Sequence, residues 1–222
     1  MKTLSFYEQC GILLPGAVLV FALVALQPDL RPFFSKEGMS VGGLGLFLIL
    51  SYAAGHAVAA VGNALEILFW KPFGGMPSDW PTRANPRILT DAQRNRLCPL
   101  VAEHLSISVG PPLGMALREW RSVFGQIYRF VLSSNPGRVE VFNGNYGLNR
   151  GLAAASLCAA ALVFIRKPDH MPVLVVTCLA LASVYLFRMY RFGVHFAREV
   201  LFCFLNPTPG ASKKPASPPN EA

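Results

Sequence analysis

Charge is scarce in this chain: 14% of its 222 residues are Asp, Glu, Lys or Arg, against 53% that are hydrophobic. Soluble domains carry about 25% charged residues, so a large water-soluble fold is excluded and a membrane protein with one modest polar region is expected. The usual catalytic signatures are missing too. There is no G-x-S-x-G, no H-E-x-x-H, no Walker loop and no dinucleotide fingerprint, and Gly42-Gly43-x-Gly45 lies within an apolar helix, where it serves packing. Ser51 and His56 are five apart, on different helix faces, and do not make a nucleophile and base. The five cysteines, Cys10, Cys98, Cys158, Cys178 and Cys203, show no C-x-x-C and no His-paired spacing. Neither a disulfide framework, a metal site nor a cofactor is indicated, and nothing points to nucleic acid.

What is present in quantity is uninterrupted apolar sequence. A bilayer core of about 30 Å asks for about 20 apolar helical residues, because no water there satisfies backbone groups. Four segments fit: 10–26, bent near its start by Pro15-Gly16; 41–70, longer than the membrane is thick; 151–165; and 171–187, whose helical pattern runs on to 205. The last two are separated only by Arg166-Lys167-Pro168-Asp169-His170, a turn that makes them an antiparallel hairpin. The fold class expected is therefore all-α integral membrane, with four transmembrane helices.

Orientation follows from the positive residues. With the N-terminus cytoplasmic, sixteen of the twenty Lys and Arg lie on the cytoplasmic side, and only Arg31, Lys36, Arg166 and Lys167 lie outside. Both termini and residues 71–150 are then expected to be cytoplasmic. A cleaved signal peptide over 1–25 is the rival reading. It conflicts with Glu8, with the single Lys before the apolar run, and with the charge bias that three remaining spans would leave.

The polar stretch 71–150 reads as a small basic helical domain with ten basic and five acidic residues. Its first twenty residues are too rich in proline and glycine for helix interior, and Phe69, Trp70, Phe73 and Trp80 around Lys71 have the composition of an interfacial belt. Thr90 and Gln93 form a capping box that starts a helix to about His104, with Pro99 as a kink or break. Residues 113–132 form an amphipathic helix on Leu117, Trp120, Phe124, Ile127, Tyr128 and Val131. After the turn at 133–137, residues 138–150 form a helix that feeds the third span. Residues 206–222, with five prolines and almost nothing apolar, are expected to be disordered.

Two polar stripes are the candidates for function. On the second span Tyr52, His56, Ala59, Asn63 and Glu66 recur at four- and three-residue steps, one helix face, with Gly55 and Gly62 beside it. Polar side chains at membrane depth line a pore or water path, or act as interhelical glue, and both readings stay open for His56. Glu66, near the cytoplasmic interface, suits a structural ion pair. On the fourth helix Arg188, Arg191, His195 and Arg198 make a cationic face, suited to anionic lipid headgroups, to pairing with Glu66 or Glu199, or to an anionic effector such as a nucleotide. His104 and His170 have no partner in sequence.

Five motifs carry a resemblance: Gly11-Ile12-Leu13-Leu14-Pro15-Gly16, Ser51-Tyr52-x-x-Gly55-His56, Gly62-Asn63-x-x-Glu66, Phe142-x-x-x-Tyr146-Gly147-x-x-Arg150-Gly151 and Arg191-Phe192-x-x-x-Phe196-Ala197-x-Glu199. Over residues 6–205 the chain resembles small four-span bacterial inner-membrane proteins, some of which are effectors in anti-phage defence operons. The resemblance implies a homo-oligomer in the bilayer whose cytoplasmic part senses a signal and whose spans then compromise the membrane barrier. It carries over no ligand residues, and the tail is outside it.

The expectation is thus an oligomeric membrane effector or ion channel that is not an enzyme. The alternatives are a non-conducting scaffold or assembly subunit, and a membrane-embedded enzyme on lipids, for which Glu66, Arg188, Arg191 and His195 are the only plausible members.

Overall fold

The computed structural model describes residues 6–27, 41–83, 88–134 and 137–207. Lys2, Arg31, Lys36, Arg87, Lys213 and Lys214 of the charge count, Asn135-Pro136 of the turn and positions 208–222 of the tail lie outside the described residues. Those described form helices and short connections, with no strand among them: α1 (Phe6–Leu26), α2 (Val41–Trp70), α3 (Asp91–Leu105), α4 (Leu117–Ser134), α5 (Gly137–Arg166) and α6 (Met171–Leu205). Three of these, α2, α5 and α6, are long and apolar enough to cross a membrane, and α1 adds a shorter apolar helix over Cys10–Leu26. The architecture is that of a multi-pass helical membrane protein. Much of the apolar surface faces outward, including Ile49, Ile67, Phe164, Ile165, Val173, Val176 and Phe187. Water would not tolerate so much contiguous hydrocarbon, whereas lipid does.

The chain divides into two compact units. One comprises residues 1–75 and 141–193, the other 76–140 and 194–222, so one boundary falls after position 75 and the other two inside α5 and α6.

The first unit is built on close backbone approach. A Cβ on Gly16 would fall onto the carbonyl of Ser51, and one on Gly55 onto the carbonyl of Ile12, so α1 and α2 touch where side chains are absent. Pro15 stays inside α1. Having no N–H, it leaves the Gly11 carbonyl without its helical donor. A third glycine, Gly151 of α5, sits over that spot: a Cβ there would lie 2.6 Å from Pro15 Cγ and 3.3 Å from the Gly11 oxygen. The α5 helix is the interior one. Ala153, Ala154, Ala155, Ser156, Ala159, Ala160 and Val163 are all buried, small residues that let its neighbours approach. It ends in a short turn in which Lys167 and His170 both take the left-handed conformation, and Met171 then opens α6.

The second unit has a conventional core. Leu97 and Val101 of α3, Trp120, Val123, Ile127 and Val131 of α4, Val139, and Val200, Leu201, Phe204 and Leu205 of α6 close it. The capping box opens α3 as its sequence requires: Thr90 Oγ1 accepts from the Gln93 N–H at 3.3 Å, and Gln93 Oε1 accepts from the Thr90 N–H at 2.9 Å. Pro99 does not break α3, which runs on to Leu105. The α4 helix begins at Leu117 rather than 113 because Gly114 is left-handed and its N–H donates to the Thr82 carbonyl. The stretch after α2 is turn-rich: 3-10 turns occupy Lys71–Phe73 and Pro77–Thr82. The second is clamped to α4. Arg121 donates through Nε and Nη2 to both oxygens of buried Asp79, at 3.1 and 2.7 Å, and Trp120 Nε1 donates to the Ser78 carbonyl. The hydrogen bond to Asp79 holds the Arg121 pKa above its usual value.

Candidate functional site

The α2 helix has two faces of opposite character. Ser51, Gly55, Val58 and Gly62 are buried inside the first unit. Tyr52, His56 and Asn63 are exposed on the other side. Tyr52 and His56 touch each other edge to face, with ring centroids 4.8 Å apart. A polar stripe read from spacing is therefore split: three members face outward and only the fourth, Glu66, turns inward.

Glu66 takes part in a polar network near the C-terminal end of α2. It pairs with Arg150 of α5, both side chains largely buried, and the Arg150 methylenes pack against Gly62, whose missing Cβ would lie 3.5 Å from Arg150 Cγ. One turn along α5 from Arg150, Tyr146 accepts a 2.9 Å hydrogen bond from Trp70 Nε1 and lies in hydrogen-bonding reach of Glu66. Trp70 is 2% exposed, stacked on Tyr190 at 5.6 Å, so it is an interior residue and not part of an interfacial belt. Trp80 is equally buried in the other unit. Gly193 makes the slot for this ring pair, since a Cβ there would lie 2.9 Å from the Trp70 ring and 3.1 Å from Tyr146.

Asn149 links α5 to α6. Its amide nitrogen donates to the Asn145 carbonyl, and its oxygen accepts from Arg188 Nε at 3.1 Å, while the Arg188 guanidinium lies 5.4 Å from the centre of the Phe192 ring. The cationic stripe of α6 is thereby divided. Arg188 and Arg191 belong to the first unit, His195 and Arg198 to the second, where Glu199 pairs with Arg138 at 3.7 Å. Of the four residues weighed for lipid chemistry, Glu66 is engaged by Arg150 and Arg188 by Asn149, and His195 lies in the other unit.

Tyr146, Asn149 and Arg150 carry this network and stand outside both polar stripes. Their signal was present: they sit at three- and four-residue steps with Asn145 on a helix about to become wholly apolar. Among the described residues no group of His, Cys, Asp and Glu could hold a metal ion. Compared with family models, curated proteins and solved structures, the chain matches none.

Proposed function

We propose that this protein is an oligomeric inner-membrane effector or channel that permeabilises the membrane in response to a cytoplasmic signal. In this reading four helices span the bilayer, both termini and residues 71–150 are cytoplasmic, and the second spans of several copies bring Tyr52, His56 and Asn63 around a shared axis. One observation supports it above the others: those three polar side chains lie on the outward face of α2. An imidazole and a carboxamide at membrane depth are unfavourable against lipid, and a second copy supplies both water and partners. A single stripe is too narrow to conduct, so assembly is part of the proposal.

The test is ion flux from liposomes containing the purified chain. A leak that His56→Leu alters several-fold supports the reading. No leak at any protein density, or a leak indifferent to His56→Leu and Asn63→Leu, refutes it. The non-conducting scaffold is favoured by a separate observation, the Glu66, Arg150, Tyr146 and Trp70 network, which closes the bundle on itself. An oligomer without flux would select it.

A further inference from the structure

The second unit buries a cation whose donors are half unused. Arg94, in the first turns of α3, is 4% exposed, on the same face as the core residues Leu97 and Val101. Its Nε and Nη2 have no hydrogen-bond acceptor among the described residues. Its Nη1 lies 3.6 Å from Asp91, a carboxylate 83% exposed to solvent and so a weak partner. An enclosed guanidinium left in this condition is strongly unfavourable, and native proteins keep such groups only where something pairs with them.

The geometry says what that something is. Nε–H and one Nη2–H point the same way from a guanidinium, forming the edge that takes two oxygens of one oxyanion side by side. Arg121, in the same unit, uses this same pair of nitrogens to hold both oxygens of Asp79. In Arg94 the matching edge has no oxyanion partner among the described residues. Arg94 also stands in the first turns of a fifteen-residue helix, where the peptide dipoles favour negative charge. The segment 76–140 holds eight arginines and five carboxylates, a balance that suits a doubly charged anion.

We infer that Arg94 is the anchor of a phosphate-binding site in the second unit. The ligand class is a single phosphate group, whether inorganic, the terminal group of a small phosphorylated molecule, or a lipid headgroup. The inference goes beyond the channel reading, because binding is measured on the protein itself and a chain that never conducts tests it equally.

The experiment is thermal unfolding of the purified full chain, followed by tryptophan emission. In detergent, inorganic phosphate and pyrophosphate are titrated against sodium chloride of equal ionic strength. In a second arm, nanodiscs of phosphatidylcholine are compared with nanodiscs containing phosphatidylglycerol, without soluble phosphate. A saturable rise in the midpoint is expected in one arm, and which arm responds assigns the source of the phosphate. Arg94→Met should abolish the rise. Arg94→Lys keeps the charge but not the two-pronged edge and should weaken binding about tenfold. Arg118→Met, at an exposed arginine of α4, should leave it unchanged. No response in either arm overturns the inference, as does an equal response in Arg94→Met. Should Arg94→Met fail to fold, Arg94→Lys decides, and an unchanged affinity there overturns it.

Discussion

Single side chains in this protein differ sharply in what they hold. Breaking the Glu66 and Arg150 pair from one side leaves a largely buried charge without its partner, which destabilises by about 3 kcal/mol. Glu66→Gln and Arg150→Met should each lower the unfolding midpoint, and the exchange Glu66→Arg with Arg150→Glu should recover part of the loss. Two single variants without effect would show the pair to be incidental. Trp70→Phe keeps the stacking on Tyr190 and removes one hydrogen bond to Tyr146, an expected loss of about 1 kcal/mol. Burial pushes the Cys98 thiol above its ordinary pKa, with an opposing backbone hydrogen bond as the smaller influence. Its folded form therefore stays protonated where an unfolded thiol would ionise. Any stability linked to it is complete below the usual thiol pKa and lost as pH rises through the folded one. Alkylation of Cys98 in the folded protein should be slow at neutral pH and accelerate only in clearly alkaline buffer, while equal rates in folded and denatured chain would contradict its burial.

At the scale of helices, the glycines divide into those that set contacts and those that do not. Gly16→Ala and Gly55→Ala would each drive a methyl into the backbone of the facing helix, whereas Gly45 has open space around its missing Cβ. The first two substitutions should disrupt the packing of α1 on α2, visible as loss of folded protein in mild detergent, and Gly45→Ala should leave it intact. The same residues show what spacing can and cannot reveal. The long apolar helices, the capping box at Thr90 and the α5–α6 turn follow from local rules about length, caps and breakers, and they were legible. Position 113 lies outside α4 because Gly114 meets the Thr82 carbonyl, a contact thirty-two residues away that no local window contains. The inward turn of Glu66 was half legible: its need for a cation was evident, but the partner stands on α5 and not on α6, where the arginines are more conspicuous. Trp70 misleads in a similar way, because aromatic composition near a helix end is common to an interfacial belt and to an interior slot. Only Gly193 separates the two, by opening room for the ring.

For the whole molecule, the proposed topology predicts that a reporter at position 110 is active only when retained in the cytoplasm, and that one at position 168 is active only outside. The reverse pattern would invalidate the orientation. The proposed function requires assembly, and cysteine crosslinking between copies at position 56 or 63 should yield dimers in the membrane if these faces meet. A residue already described makes conformational coupling measurable without labels. The three tryptophans are all buried, Trp70 in the first unit and Trp80 and Trp120 in the second. A chain carrying Trp80→Phe and Trp120→Phe would keep one indole, seated between Tyr146 and Tyr190, whose emission colour and quenching by iodide report solely on the bundle. Its counterpart, Trp70→Phe, would report solely on the arginine-rich unit, so a stimulus received in one and answered in the other becomes two separable optical signals.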